Sequence, residues 1–238
     1  MADDVGRVLP EGTGTPLTIP GPIFAAAVDT FVTGQRLDMR SLARRVGVAR
    51  ATLYRRAGTR EQLLDQVLWW RARILLVGQV RASAHLTGTD RLIAVIGGVL
   101  RAIGTDRPVR MFLESDPETA MRVMTGSRST VHQGLAAALE NLIDLERGRG
   151  AFDASLDTAT LAFAIVRVAV GFLYSDVIAD RAPGIGRAVI VIEALLRGLD
   201  RGHRSPATAA RPSPSPSGTS RDPAPPTDPR SAESPGMP

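Results

Sequence analysis

Between Arg60 and Ala82, the residues Leu63, Val67, Trp70, Ile74 and Val77 recur at steps of 4, 3, 4 and 3, and Leu64, Leu68 and Leu75 mark an adjoining stripe. The period is that of an α-helix, and two stripes side by side leave it apolar over more than half its girth. Such a helix buries itself only among other helices. Composition agrees: aromatic residues are 4% of the chain and runs of strand-forming residues are scarce, so an all-α protein is expected. A length of 238 residues allows one or two domains with a substantial core. Cysteine is absent, which removes disulfide frameworks, thiolate metal sites and cysteine nucleophiles together and fits a cytoplasmic protein.

Other helices follow from period and punctuation. Pro22 suits a first turn, with Phe24, Val28 and Phe31 spaced along one face ahead of Gly34. Asp38 is placed to cap a short helix carrying Leu42, Ala43 and Val46, which Gly47 closes, and residues 50–56 make the next around Leu53. Beyond the 60–82 helix, further ones are expected near 90–104, 108–114, 117–125, 128–147, 156–178 and 185–199, with Asp116 and Pro117 opening one of them. Gly97-Gly98 costs about 2 kcal/mol of helix propensity, so it marks a kink or a close approach of two helices. Arg167 interrupts the longest apolar stretch, Leu161 to Tyr174, well short of the ~18 residues of a membrane span. Residues 1–20 lack a helical period, and residues 205–238 contain ten prolines. Both segments are expected to be disordered, and the acidic start at Asp3 and Asp4 is unlike a signal peptide.

The charge is concentrated. All 29 basic residues are arginine, and residues 21–204 hold 25 of them against 18 acids, an excess of seven. Residues 36–60 alone contain eight arginines and a single acid, Asp38, so this window carries the whole excess. Single arginine clusters are often just solvated helix faces; an excess confined to one short window favours a polyanion site. The same window reads as two short helices on a tight turn, with Leu42, Val46, Val48 and Leu53 forming a small shared core, which is a helix-turn-helix pattern. Its outward residues combine short side chains for close approach with cations and a phenol, a surface suited to lie along DNA.

Leu42-Ala43, Gly47-Val48-Ala49 and Leu53-Tyr54-Arg55-Arg56-Ala57 resemble the N-terminal domain of TetR-type transcriptional regulators. Ala49 stands where that family often has a capping serine, and Ala57 where it has a large residue. The resemblance implies a three-helix DNA-binding head over 21–66 and a helical effector-binding and dimerisation body over 67–204. Carried over by position, Arg50, Ala51 and Thr52 would read base edges, Tyr54 and Arg55 would grip phosphate, and Arg40 and Arg60 would add backbone contacts. The stretch Ile165 to Ile178, followed by Ala-Asp-Arg-Ala-Pro, is similar to a signature of the branch named after the regulator QsdR, with Val170 where relatives carry an acidic residue.

The function implied is a regulator, a repressor in the leading reading, that binds an operator as a homodimer and is released by a small, largely apolar effector. A helical ligand-binding protein with a non-functional head is the alternative. Trp70, Ile74, Met111, Phe112, Met124, Phe163 and Arg167 are the candidate pocket residues, although most such residues serve simply as core. Arg167 calls for a carboxylate partner, Asp144 or Glu193, or for an anionic or lactone-bearing ligand. Two stripes, Val131/Leu135/Ala138/Leu142/Leu145 and Ile185/Val189/Ile192/Leu196, could be dimer interface or intramolecular core. No catalytic constellation, metal-ligand set or phosphate loop occurs, so neither enzyme activity nor a cofactor is expected.

Overall fold

A computed structural model of the protein describes residues 2–10, 19, 21–126, 129–178 and 184–201. The described residues form eleven helices and no strand: α1 (Ala2–Val8), α2 (Gly21–Val32), α3 (Met39–Arg45), α4 (Arg50–Ala57), α5 (Arg60–Ala82), α6 (Gly88–Thr105), α7 (Arg107–Ser115), α8 (Pro117–Thr125), α9 (Thr130–Gly148), α10 (Thr158–Ile178) and α11 (Ile185–Leu199). An isolated bridge joins Ala154 to Asp200. The expected tail at 205–238 lies outside the described residues.

Local chemistry sets the ends of these helices. The Asp38 carboxylate accepts from the Ser41 N–H at 2.8 Å and opens α3. Gly47 then turns the chain at φ 68°, a conformation that suits glycine, and α4 begins without a side-chain cap because Ala49 has no oxygen to offer. Thr59 and Gln62 form a reciprocal capping box at the start of α5. Asp106 and Asp116 each cap a helix whose first turn contains proline.

The 23-residue α5 is the axis of the molecule, packed against α2, α6, α8 and α9. Its second half is buried along Leu68, Ala72, Leu76 and Val80, whereas Ile74, expected inward, is 44% exposed. Asp65 of α5 accepts from the Ser129 hydroxyl and from the Thr130 and Val131 N–H groups, so a carboxylate from α5 sits on the positive end of α9. Gly97 and Gly98 are buried, with Val189 of α11 and Gln79 of α5 against them, which is the close approach the pair required.

The N-terminal segment departs from its expected disorder. Residues 2–8 form α1, which packs on α9 and α5 and buries Val8 and Leu9. Its Asp4 pairs with Arg91 at 2.9 Å and with Arg149 at 2.6 Å. Arg91, fully buried in α6, also donates to Glu146 at 2.8 Å, and Glu146 accepts from the Gly88 N–H at 2.7 Å. Partners this distant in the chain leave no local period, which is why helical patterning missed α1.

Candidate DNA-binding face and interior cavity

The head is built on a small core. Leu42 and Ala43 of α3 and Leu53 and Ala57 of α4 are buried with Phe31 and Met39. Ala57 fills its place as a small residue because Gly58, at φ 71°, and the capping box bring α5 up directly behind it. With the inward positions so assigned, the helical period turns Arg40, Ser41 and Arg44 of α3 and Arg50, Ala51, Tyr54 and Arg55 of α4 to the exterior. Thr52 is half-buried. The Arg50 guanidinium lies over the Tyr54 ring, 5.7 Å from its centroid. Among the described residues no carboxylate pairs with Arg40, Arg50, Arg55 or Arg56, while Arg45 is held by Asp29 at 2.5 Å. Asp38 is occupied by its cap, and the Ser41 N–H holds its carboxyl below the usual carboxylate range. The face therefore presents uncompensated positive charge.

Arg60 has a different setting from the phosphate contact assigned by resemblance. Its Nε donates to the Leu37 carbonyl at 2.7 Å, its Nη1 meets the Asp116 carboxylate at 2.8 Å, and its side chain is largely buried. The residue ties the head to the start of α8. The cause is simple: the first turn of α5 meets the α7–α8 junction, and only the packing of the chain brings Asp116 there.

A cavity of about 110 Å³ lies in the body between α5, α6, α7, α9 and α10. Its walls are aliphatic, and of the lining residues only Arg71 and His132 carry polar side chains. Arg71 is neutralised by Asp106, to whose Oδ2 it donates at 2.8 and 2.5 Å. His132 is partly buried, and burial, aided by the nearby Arg167 charge, pushes its pKa below the ordinary histidine value. Val170, the position at which the resemblance implies an acidic residue in relatives, adds an apolar side chain to the wall.

None of the candidate pocket residues lines this cavity. Trp70 packs edge-on against Phe24, and Phe112 against Phe31. Met111 lies against Gly34, Ile74 is exposed, and the side chain of Met124 falls outside the described residues. Phe163 is 50% exposed and carries Arg167 stacked on its ring, 5.1 Å from the centroid. Neither anticipated partner reaches Arg167, because Asp144 accepts from Thr158 and Glu193 pairs with Arg197. Trp70 and Phe112 went to helix crossings, and apart from Arg71 and His132 the lining consists of Leu, Val, Ile and Ala, residue types that look in a sequence like any other core. The α9 stripe containing Val131, Leu135, Ala138 and Leu142 is part of that lining, and Ile192 and Leu196 of α11 are buried as well, so both candidate interface stripes are intramolecular.

The helix α7 stands between cavity and head. Val109 lines the cavity, Phe112 packs on Phe31 of α2 with centroids 6.2 Å apart, and the helix is bounded by Asp106, bound to Arg71, and Asp116, bound to Arg60.

The family model described as bacterial regulatory proteins of the tetR family matches residues 23–67, and the one described as tetracyclin repressor-like C-terminal domain matches residues 87–197. Among solved structures, the chain is similar to the TetR-family transcriptional repressor QsdR from R. erythropolis, with 26% identity and a TM-score of 0.69 over 77% of this chain and 96% of that one. The TetR family repressor AlkX from Dietzia sp. strain DQ12-45-1b, implicated in biodegradation of n-alkanes, is 20% identical with a TM-score of 0.51, covering 75% of this chain and 95% of that one. The regulator FadR from Bacillus subtilis, solved in complex with stearoyl-CoA, is 16% identical with a TM-score of 0.50, covering 75% and 98% respectively. These last two share the fold. A comparison with curated protein sequences found no match.

Proposed function

Because the chain belongs to the TetR family of bacterial transcriptional regulators, we propose that it is a repressor that binds its operator as a homodimer and lets go when a small, largely apolar effector fills the interior cavity. Residues 21–66 act as the DNA-binding head and 67–204 as the body. The observation that carries this reading is the exposure of Arg40, Arg50 and Arg55 on α3 and α4, none of which pairs with a carboxylate among the described residues. Arg50, Ala51 and Thr52 open α4, where they would meet base edges, with Arg50 able to bind guanine in a bidentate manner. Tyr54, Arg40 and Arg55 flank them for phosphate.

A dimer reads two half-sites about 34–36 Å apart, which lets one short helix per subunit reach useful specificity. Support for a dimer comes from α11, where Ile190 is 67% and Val191 42% exposed, with Ala194 and Gly198 exposed beside them. Four small or apolar positions turned outward on one helix suit close packing against a second copy. A ligand pressing on Val109 would displace α7, and α7 would carry the shift to the head through Phe112–Phe31 and Asp116–Arg60. The coupling this requires is about 1–3 kcal/mol.

The test is a mobility-shift titration with the intergenic DNA beside the protein's own coding region, repeated across a salt series. Sequence-preferring binding that weakens steeply with salt is expected. Failure to bind any duplex at low salt would leave the chain a ligand-binding protein with an idle head and overturn the reading.

A further inference from the structure

The cavity in the body offers a ligand almost nothing to bond with. Its lining residues belong to α5, α6, α7, α9 and α10, and backbone groups inside a helix bond one another. Where a lining residue sits in the first turn of a helix, its N–H is already taken: Val109 donates to the Asp106 carboxylate at 3.1 Å, Val131 to the Asp65 carboxylate at 3.2 Å, and His132 to the Ser129 hydroxyl at 3.2 Å. Ile103, in the last turn of α6, has its carbonyl occupied by the Asp106 N–H at 3.2 Å. Apart from Arg71 and His132, every lining side chain is a hydrocarbon.

The walls are electrically neutral by cancellation as well as by composition. Arg71 lines the cavity, and the buried Asp106 carboxylate engages its guanidinium through Nε at 2.8 Å and Nη2 at 2.5 Å. That pair satisfies a cation which would otherwise be open to an oxyanion entering the cavity. Burial, with the Arg167 charge nearby, favours the neutral imidazole of His132. Among the described residues no acidic side chain lines the cavity, so a cationic ligand finds no counter-ion either. A charged group drawn inside exchanges its hydration for aliphatic carbon, which costs more than the burial of a short hydrocarbon returns. An uncharged hydrocarbon meets no such cost, and a dry apolar cavity of about 110 Å³ is of the order that takes up small hydrocarbons from water.

We propose that the effector fills this cavity with an uncharged hydrocarbon group, and that Asp106 sets the preference against anionic ligands by occupying the Arg71 guanidinium. The inference rests on the effector site of the preceding reading and adds the ligand's charge and a residue that decides it. Recognition comes from the fit of the ligand among Leu, Val, Ile and Ala side chains, not from hydrogen bonds. The carboxylate that excludes anions also caps α7 through the Val109 N–H. Asparagine keeps a capping oxygen and loses the charge, so Asp106→Asn separates the two tasks.

The experiment is a methyl-NMR titration of the full-length protein, in sealed tubes at neutral pH, with hexane, hexanoate and hexylammonium. Hexane is expected to bind saturably and at least about tenfold more tightly than either ion. In Asp106→Asn the ratio of hexanoate to hexane affinity rises by about tenfold, in line with hydrogen bonds to a charged group, and the ratio of hexylammonium to hexane does not rise. Adding Arg71→Leu to Asp106→Asn returns the hexanoate ratio to that of the unaltered protein. A ratio is unaffected by a partial loss of folded protein. Either ion binding as tightly as hexane overturns the uncharged ligand while leaving the cavity as the effector site, and an unchanged hexanoate ratio in Asp106→Asn overturns the role of Asp106. Binding of no probe by a protein that still shifts its operator overturns both the uncharged ligand and the cavity as effector site, and leaves the DNA-binding reading intact.

Discussion

Arg50 and Arg91 put the same side chain to opposite uses. Arg50 stands on the outer face of α4 beside other arginines, with an aromatic ring beneath it and no carboxylate in an ion pair with it among the described residues. Arg91 is wholly buried in α6 and is matched by Glu146 and by Asp4, 55 and 87 residues away in the chain. A solvated cation costs little to fold around and keeps its charge for a polyanion arriving from outside. A buried one is tolerable only if the fold delivers an anion to it, and the pair then has no charge to offer a partner. Function in the head thus depends on charge left uncompensated, and stability in the body depends on charge fully compensated.

The contrast predicts a graded set of outcomes. The largest concerns Glu146→Ala, which strands Arg91 in the core with Asp4 alone. Denaturant unfolding is expected to register a loss of about 3–5 kcal/mol, against a change within about 0.5 kcal/mol for Arg55→Ala in the head. Equal stability of the two variants would erase the distinction between the regions. Next comes Arg50→Ala, for which the operator's advantage over a single-base variant should shrink by about 1–3 kcal/mol at one position, while Tyr54→Phe weakens all duplexes alike. Discrimination that is untouched in Arg50→Ala would remove base reading from the start of α4. The smallest effect is expected from Ala49→Ser, which supplies the cap oxygen that α4 lacks; slower amide exchange along α4 and a gain of about 1 kcal/mol in its local stability would follow. No change in exchange would mean that packing on α5 already dictates where α4 begins.

How much was legible from the chain differs between the same two regions. The helix-turn-helix could be read because its evidence is local: Asp38 three residues before the N–H it caps, Gly47 at a turn needing positive φ, and an arginine excess confined to 25 residues. The helices from α2 to α11 were likewise recoverable to within a few residues, since each carries its own period and punctuation. The cavity could not be read. Its walls come from five helices, and no property of Leu135 or Ala169 in the sequence separates a side chain that lines a void from one that fills a core. The conspicuous residues Trp70, Phe112 and Phe163 serve elsewhere, at helix crossings and in the surface cluster with Arg167.

Two residues mark the boundary. Arg60 looked like a phosphate contact because it opens a helix behind the recognition element, and it became a tie between head and body because Asp116, more than fifty residues later, packs over it. Asp4 looked like part of an unstructured start and became one anchor of the buried ion cluster. The amino-acid sequence by itself determined the helical class, the course of nearly every helix and the charged face of the head, all of which arise from interactions within a few residues along the chain. Tertiary structure alone decided which arginines remain free, where α1 docks and where the body stays hollow, because each depends on groups that are distant in sequence and become neighbours only when the helices pack.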